Sequence, residues 1–201
     1  MIHFQLNIDN ISDYQHGVLP PNAVRLDTPP TKDIIKKSAP IMAILCFLLQ
    51  IPVFLRIFLC TEFAVSIRSL AGIAVGFAAG YALQLVHELL HAAVYPKEAA
   101  VTVGKLRHKL FFIALASHPL SRPRFFLMCL LPFVLGIVPL VLFLTGAPEH
   151  DFLNWFFFGM AAIGTVSPAP DVYNVLTVRR QTRPTDRIQF YDDDIYRIPK
   201  E

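Results

Sequence analysis

The apolar residues of the chain gather into four long runs, and each is long enough, or nearly so, to cross a bilayer as helix, which takes about 20 residues. The first, Ala39 to Leu59, reads "APIMAILCFLLQIPVFLRIFL"; Pro52 is expected to kink it and Arg56 to snorkel near its outer end. The second covers Ser69 to Tyr95. The third covers Phe125 to Leu144 and contains Pro132 and Pro139. The fourth, Phe152 to Val166, is the shortest and leads into "SPAPD", whose two prolines should end or break it. Between the second and third runs the pattern changes. Val101 to Leu115, "VTVGKLRHKLFFIAL", is too short and too basic to span. Its alternation predicts a small β-hairpin turning at Gly104-Lys105, or an interfacial loop or short helix.

The resulting fold class is an all-α membrane protein of about four transmembrane helices, with that small segment between helices 2 and 3. Residues 1–38 form a polar cytoplasmic leader in which Pro20-Pro21 and Pro29-Pro30 break any long helix. It has no apolar core, so it does not read as a secretory signal. Residues 39–176 form the transmembrane domain. Residues 177–201, with "YDDDIYRI", form a polar tail, either disordered or packed under the site.

Composition supports the membrane reading: 54% of residues are hydrophobic and 16% charged, against about a quarter charged in soluble domains. Basic residues set the orientation. Lys32, Lys36 and Lys37 precede the first run; Lys97, Lys105, Arg107, Lys109 and Arg122 lie between the second and third; Arg179, Arg180, Arg183 and Arg187 follow the fourth. An even number of spans puts all three groups on the cytoplasmic side, with both termini inside. A net charge of +3 is too small to argue for nucleic acid. Cys46, Cys60 and Cys129 lie in or beside apolar runs and make neither a disulfide framework nor a cysteine zinc site. Gly72, Gly76 and Gly80 recur every four residues on one face of the second helix, which lets another backbone approach and leaves room for an oligomer.

Ionisable side chains interrupt the second run at "VHELLH". Such groups are expensive in hydrocarbon, so function is the default reading there, with a structural polar cluster as the alternative. His87 and His91, at i and i+4, stand one turn apart on one helix face. Glu88 follows His87 by about 100° of rotation. This is the H-E-x-x-H arrangement in which two imidazoles hold zinc and the glutamate acts as general base on water. Catalytic zinc needs a third protein ligand and an open position. Asp171 lies about as far along the inward-running fourth helix as His87 lies along the second, so helix rise puts the two at similar depth. A helix-end cap is its other reading. Asn174, three residues on, would share a face with Asp171; it could orient that carboxylate or bind a substrate carbonyl, or be an ordinary interfacial side chain. His118, in "ASHPLSR", is the spare ligand candidate. His3, His16, His108 and His150 read as solvated.

"HELLHA" on a second helix, a strand-like connection, a proline-bearing third helix and "SPAPDVYN" together resemble the family of putative zincin peptidases, small bacterial membrane proteins related to the site-2 intramembrane metalloproteases. The resemblance covers Leu70 to Val178. It implies Zn2+ held by His87, His91 and Asp171, with Glu88 as base, in a multi-pass protein of a bacterial cell membrane. It implies hydrolysis of a membrane-embedded or membrane-adjacent protein or peptide on the cytoplasmic side. The late motif departs from the site-2 pattern: Ser167 stands near the usual asparagine and Val172 replaces a glycine. Two other functions remain open, a metal-binding protein that sequesters a partner without hydrolysis, and a structural or transport protein using the three residues as a polar relay.

Overall fold

The computed structural model describes residues 1–14, 17–59, 65–107 and 112–200; His16, Cys60, Glu62, His108 and Lys109 lie outside these. Among the described residues, four helical stretches are long and apolar enough to cross a membrane: Asp33–Leu59, Ile67–Val94, Arg122–Thr145 and Asp151–Gln181. Each is interrupted once. The first consists of α1 (Thr31–Leu48) and α2 (Gln50–Leu59). Pro52 has no N–H to give the Leu48 carbonyl, and α1 ends at that residue. The second consists of α3 (Ile67–Ala82) and α4 (Gln84–Val94). In the third, α5 (Arg122–Leu130) passes through a 3-10 turn at Leu131–Phe133, around Pro132, into α6 (Val134–Thr145). The fourth consists of α7 (Asp151–Val166) and α8 (Ala169–Gln181). The expectation that this run is the shortest fails: its stretch has 31 residues, the longest of the four. The prolines break it without ending it, because Pro170 falls in the first turn of α8, where a missing N–H costs nothing.

The chain divides into two units. One comprises Ser38–Gln84 and Pro132–Ala169. Within it α3 lies along α7, and Gly72, Gly76 and Gly80 are all buried in that contact. A Cβ on Gly72 or Gly76 would strike the carbonyl oxygens of Phe152 or Phe156, and one on Gly80 would meet Ile163. The glycine face is therefore used inside the chain. Asp151 joins the starts of the two helices by accepting hydrogen bonds from the hydroxyls of Ser66 and Ser69. Phe143 and Trp155 form an aromatic core with Val53, Ile73 and Phe158 around them. Arg56 does not snorkel. It is 5% exposed and donates from Nη1 to the carbonyls of Leu144 and Gly146 at 3.0 and 2.7 Å, satisfying the end of α6.

The other unit comprises Met1–Lys37, Leu85–Leu131 and Pro170–Glu201, and here the all-α expectation needs correction. The leader contributes β1 (Ile2–Ile8), parallel to β3 (Val101–Leu106), which pairs antiparallel with β4 (Phe112–Leu115). The hairpin between the second and third helices is thus present, but it does not turn at Gly104-Lys105. Both residues lie within β3, opposite Ile113 and Phe112. Gly104 is needed for another reason, since a Cβ there would strike the Gln5 carbonyl of β1. The tail is ordered. It forms the hairpin β6 (Arg187–Tyr191) and β7 (Asp194–Ile198), turning at Asp192 with φ 50°, a conformation aspartate tolerates better than most residues. With β2 (Val24–Arg25) and β5 (Leu120–Ser121) it makes an antiparallel sheet in the order β2-β7-β6-β5. Ile188 and Ile195 of the hairpin join Val94, Phe125, Met128, Cys129 and Val178 in one buried core.

Candidate metal centre

The site lies within this second unit, on α4 and α8. His87 and His91 are buried, 4% and 8% exposed, one helical turn apart. Their Nε2 atoms face each other at 3.0 Å. Asp171, in the first turn of α8, brings Oδ2 to 3.5 Å from His87 Nε2 and Oδ1 to 3.5 Å from His91 Nε2. A tetrahedral zinc with bonds of about 2.0–2.1 Å spaces its ligand atoms about 3.3 Å apart. The three separations, 3.0, 3.5 and 3.5 Å, lie close to that spacing, with each oxygen of the Asp171 carboxylate facing one imidazole. Chemistry agrees with geometry. A carbonyl only accepts hydrogen bonds, so the 2.8 Å contact between His91 Nδ1 and the Met128 carbonyl assigns the proton to Nδ1. With its proton on Nδ1, a neutral His91 would have its Nε2 lone pair free for a metal ion. His87 has its own Nδ1 buried without a protein partner. The residues present therefore fit a zinc ion.

Glu88 lies beside the two histidines, with one ligand atom from each of His87, Glu88 and His91 within 4.8 Å of the others. Its Oε2 accepts a hydrogen bond of 2.7 Å from the backbone N–H of Ala114. Ala114 pairs with Val103 across the ladder, and its N–H points away from that ladder, out of the open edge of β4. The carboxylate is thereby tied to a strand edge, beside the imidazoles but not between them.

Asn174 is buried, 9% exposed, one turn beyond Asp171 on α8. His118 lies between β4 and β5, outside the cluster. Burial and the nearby Arg187 hold its imidazole below the usual histidine value. Two contributors have no side-chain signature in the sequence: the Ala114 N–H and the Met128 carbonyl. The second had a partial signal in Pro132, four residues after Met128.

Two histidines one turn apart, an adjoining glutamate and a converging carboxylate define an H-E-x-x-H metallopeptidase type of site, here carried on long apolar helices. Residues 80–185 match the family described as Putative zincin peptidase, a match over more than half of the chain, and the chain belongs to that family. No curated protein and no solved structure matches it.

Proposed function

We propose that the chain is a zinc-dependent endopeptidase, of the site-2 protease type, that cuts membrane-associated proteins or peptides near the cytoplasmic face of a bacterial cell membrane. The observation that carries this reading is the convergence of His87 Nε2, His91 Nε2 and the Asp171 carboxylate at 3.0–3.5 Å with Glu88 alongside. Four apolar helical stretches and the clustering of Lys and Arg beside their inner ends support a multi-pass topology with both termini cytoplasmic.

His87, His91 and Asp171 would hold the ion. When bound, zinc polarises a peptide carbonyl and makes water nucleophilic near neutral pH. Glu88 takes the proton from the attacking water and passes it to the leaving amine. The Ala114 N–H steadies its second oxygen meanwhile. Asn174 is the candidate to orient Asp171 or to donate to the carbonyl oxygen as it becomes negative. The open edge of β4 offers the backbone groups with which an extended substrate segment can pair.

The test joins metal analysis to proteolysis. The purified chain should hold about one zinc. Glu88→Gln should keep that zinc and lose cleavage of a co-expressed single-span substrate. Normal cleavage by Glu88→Gln would rule out the general-base role. Bound zinc with no cleavage that depends on Glu88 would favour a metal-binding protein that sequesters its partner.

A further inference from the structure

We infer that Pro132 is a positioning residue for the metal centre: by lacking an N–H it leaves the Met128 carbonyl for the Nδ1–H of His91. The inference rests on the zinc reading above and adds to it a residue that touches neither ion nor substrate.

In an uninterrupted helix the carbonyl of residue 128 would accept from the N–H of residue 132. Proline has none, and its ring crowds the carbonyl four residues back. The helix responds here: α5 stops at Leu130 and a 3-10 turn covers Leu131–Phe133. The N–H of Leu131 still reaches the Leu127 carbonyl, so the regular ladder persists to the residue before the proline. The next carbonyl, of Met128, accepts 2.8 Å from His91 Nδ1 in a contact spanning 37 residues of sequence. Met128 is itself buried, 4% exposed, so water is poorly placed to serve this carbonyl. Without a donor it would be left buried and unsatisfied, which is unfavourable. Proline and histidine thus solve one problem together. The freed acceptor fixes the His91 ring and its tautomer, and His91 satisfies the freed acceptor.

Restoring an N–H at this position should undo the arrangement. In Pro132→Ala the new N–H competes for Met128 and draws its carbonyl back along the helix axis. His91 then loses its anchor while remaining in place as a side chain. Alanine favours helix, so the variant should fold. Three proteins give the comparison. The first is Pro132→Ala. The second has the backbone ester of lactic acid at residue 132, which carries alanine's methyl group but no N–H. The third is Pro139→Ala, which changes the other proline of the same helical stretch.

Zinc affinity is measured on each full chain in detergent by competition with a chelator, and the cobalt-substituted visible spectrum reports ligand geometry. Pro132→Ala should bind zinc about tenfold or more weakly, the usual effect of losing a partner behind a ligand histidine, with a shifted cobalt spectrum. The ester and Pro139→Ala should match the unmodified chain. Equal affinity in Pro132→Ala would overturn the inference. So would equal weakening by the ester, which would implicate the ring, or by Pro139→Ala, which would implicate helix irregularity in general. If the unmodified chain binds no zinc, the metal reading falls first and this inference with it.

Discussion

Glu88 is tied through Oε2 to the backbone N–H of Ala114 at 2.7 Å, so the glutamate of the H-E-x-x-H pattern is held by the edge of a β-sheet as well as by its own helix. The bond links two features usually considered apart, the proton-transfer group and the strand edge on which a peptide can lie. Ala114→Pro removes the N–H without costing a ladder bond, because that N–H points out of the sheet. The loss of one hydrogen bond to a charged group is worth about 1.5–3 kcal/mol. Peptide hydrolysis should fall by about ten- to a hundredfold while zinc content stays at the level of the unmodified chain. Loss of zinc together with activity would mean that the strand supports the ligands rather than the base.

The ligand set is tested by subtraction. His87→Ala, His91→Ala and Asp171→Ala each leave two of three protein donors, and each should purify with well under one zinc per chain. Asp171→Asn keeps the shape and removes the charge, and should fall between. Metal analysis of the four proteins decides the matter. Full zinc occupancy in Asp171→Ala would return Asp171 to the role of a helix-end carboxylate and send the search for a third donor elsewhere.

Much of this site is legible in the order of residues alone, for a geometric reason. Helix rise is constant, so counting residues along the second and fourth runs puts His87 and Asp171 at one depth, and they lie 3.5 Å apart. Backbone contributions are not legible in the same way. The Ala114 N–H and the Met128 carbonyl belong to peptide units that every residue has. Pro132 announces that a carbonyl is free but not who takes it. The sheets are hidden by distance along the chain, since β1 finds its partner at Val101 and β2 finds its partner in the tail. A disordered tail is at odds with the pattern that the tail carries. "RIQFY" and "DIYRI" alternate around two aspartates, the signature of a tight hairpin.

That hairpin should matter to the metal centre. Ile188, 1% exposed, packs in the same cluster as Met128, whose carbonyl holds His91. Ile188→Ala should destabilise this unit by about 2–5 kcal/mol through the lost contacts and the cavity left behind. A chain weakened there should also release zinc to a chelator faster. Arg187→Ala lies on the exposed neighbouring position and should do neither. Equal effects from both variants would show that the strand, and not the buried isoleucine, is what counts.

Gly76 tests the packing of the long helices. It lies midway along the contact of α3 with α7, and a methyl group there would strike the Phe156 carbonyl oxygen, part of a backbone that cannot swing aside as a side chain can. Phe156 is itself flanked by residues committed to the contact: Phe152 against Gly72 and Ile163 against Gly80. Relief therefore requires the two helices to separate along their whole length. Gly76→Ala should cost about 1–3 kcal/mol, the range for overpacking, despite alanine's better helix propensity of about 1 kcal/mol. Gly76→Leu should cost more. Ala71→Leu, on an exposed position of the same helix, should be close to neutral. Unfolding in mixed micelles of rising denaturing detergent fraction measures all three. A neutral or stabilising Gly76→Ala would mean that propensity outweighs contact here and that α3 and α7 are not held at the close approach the glycines permit.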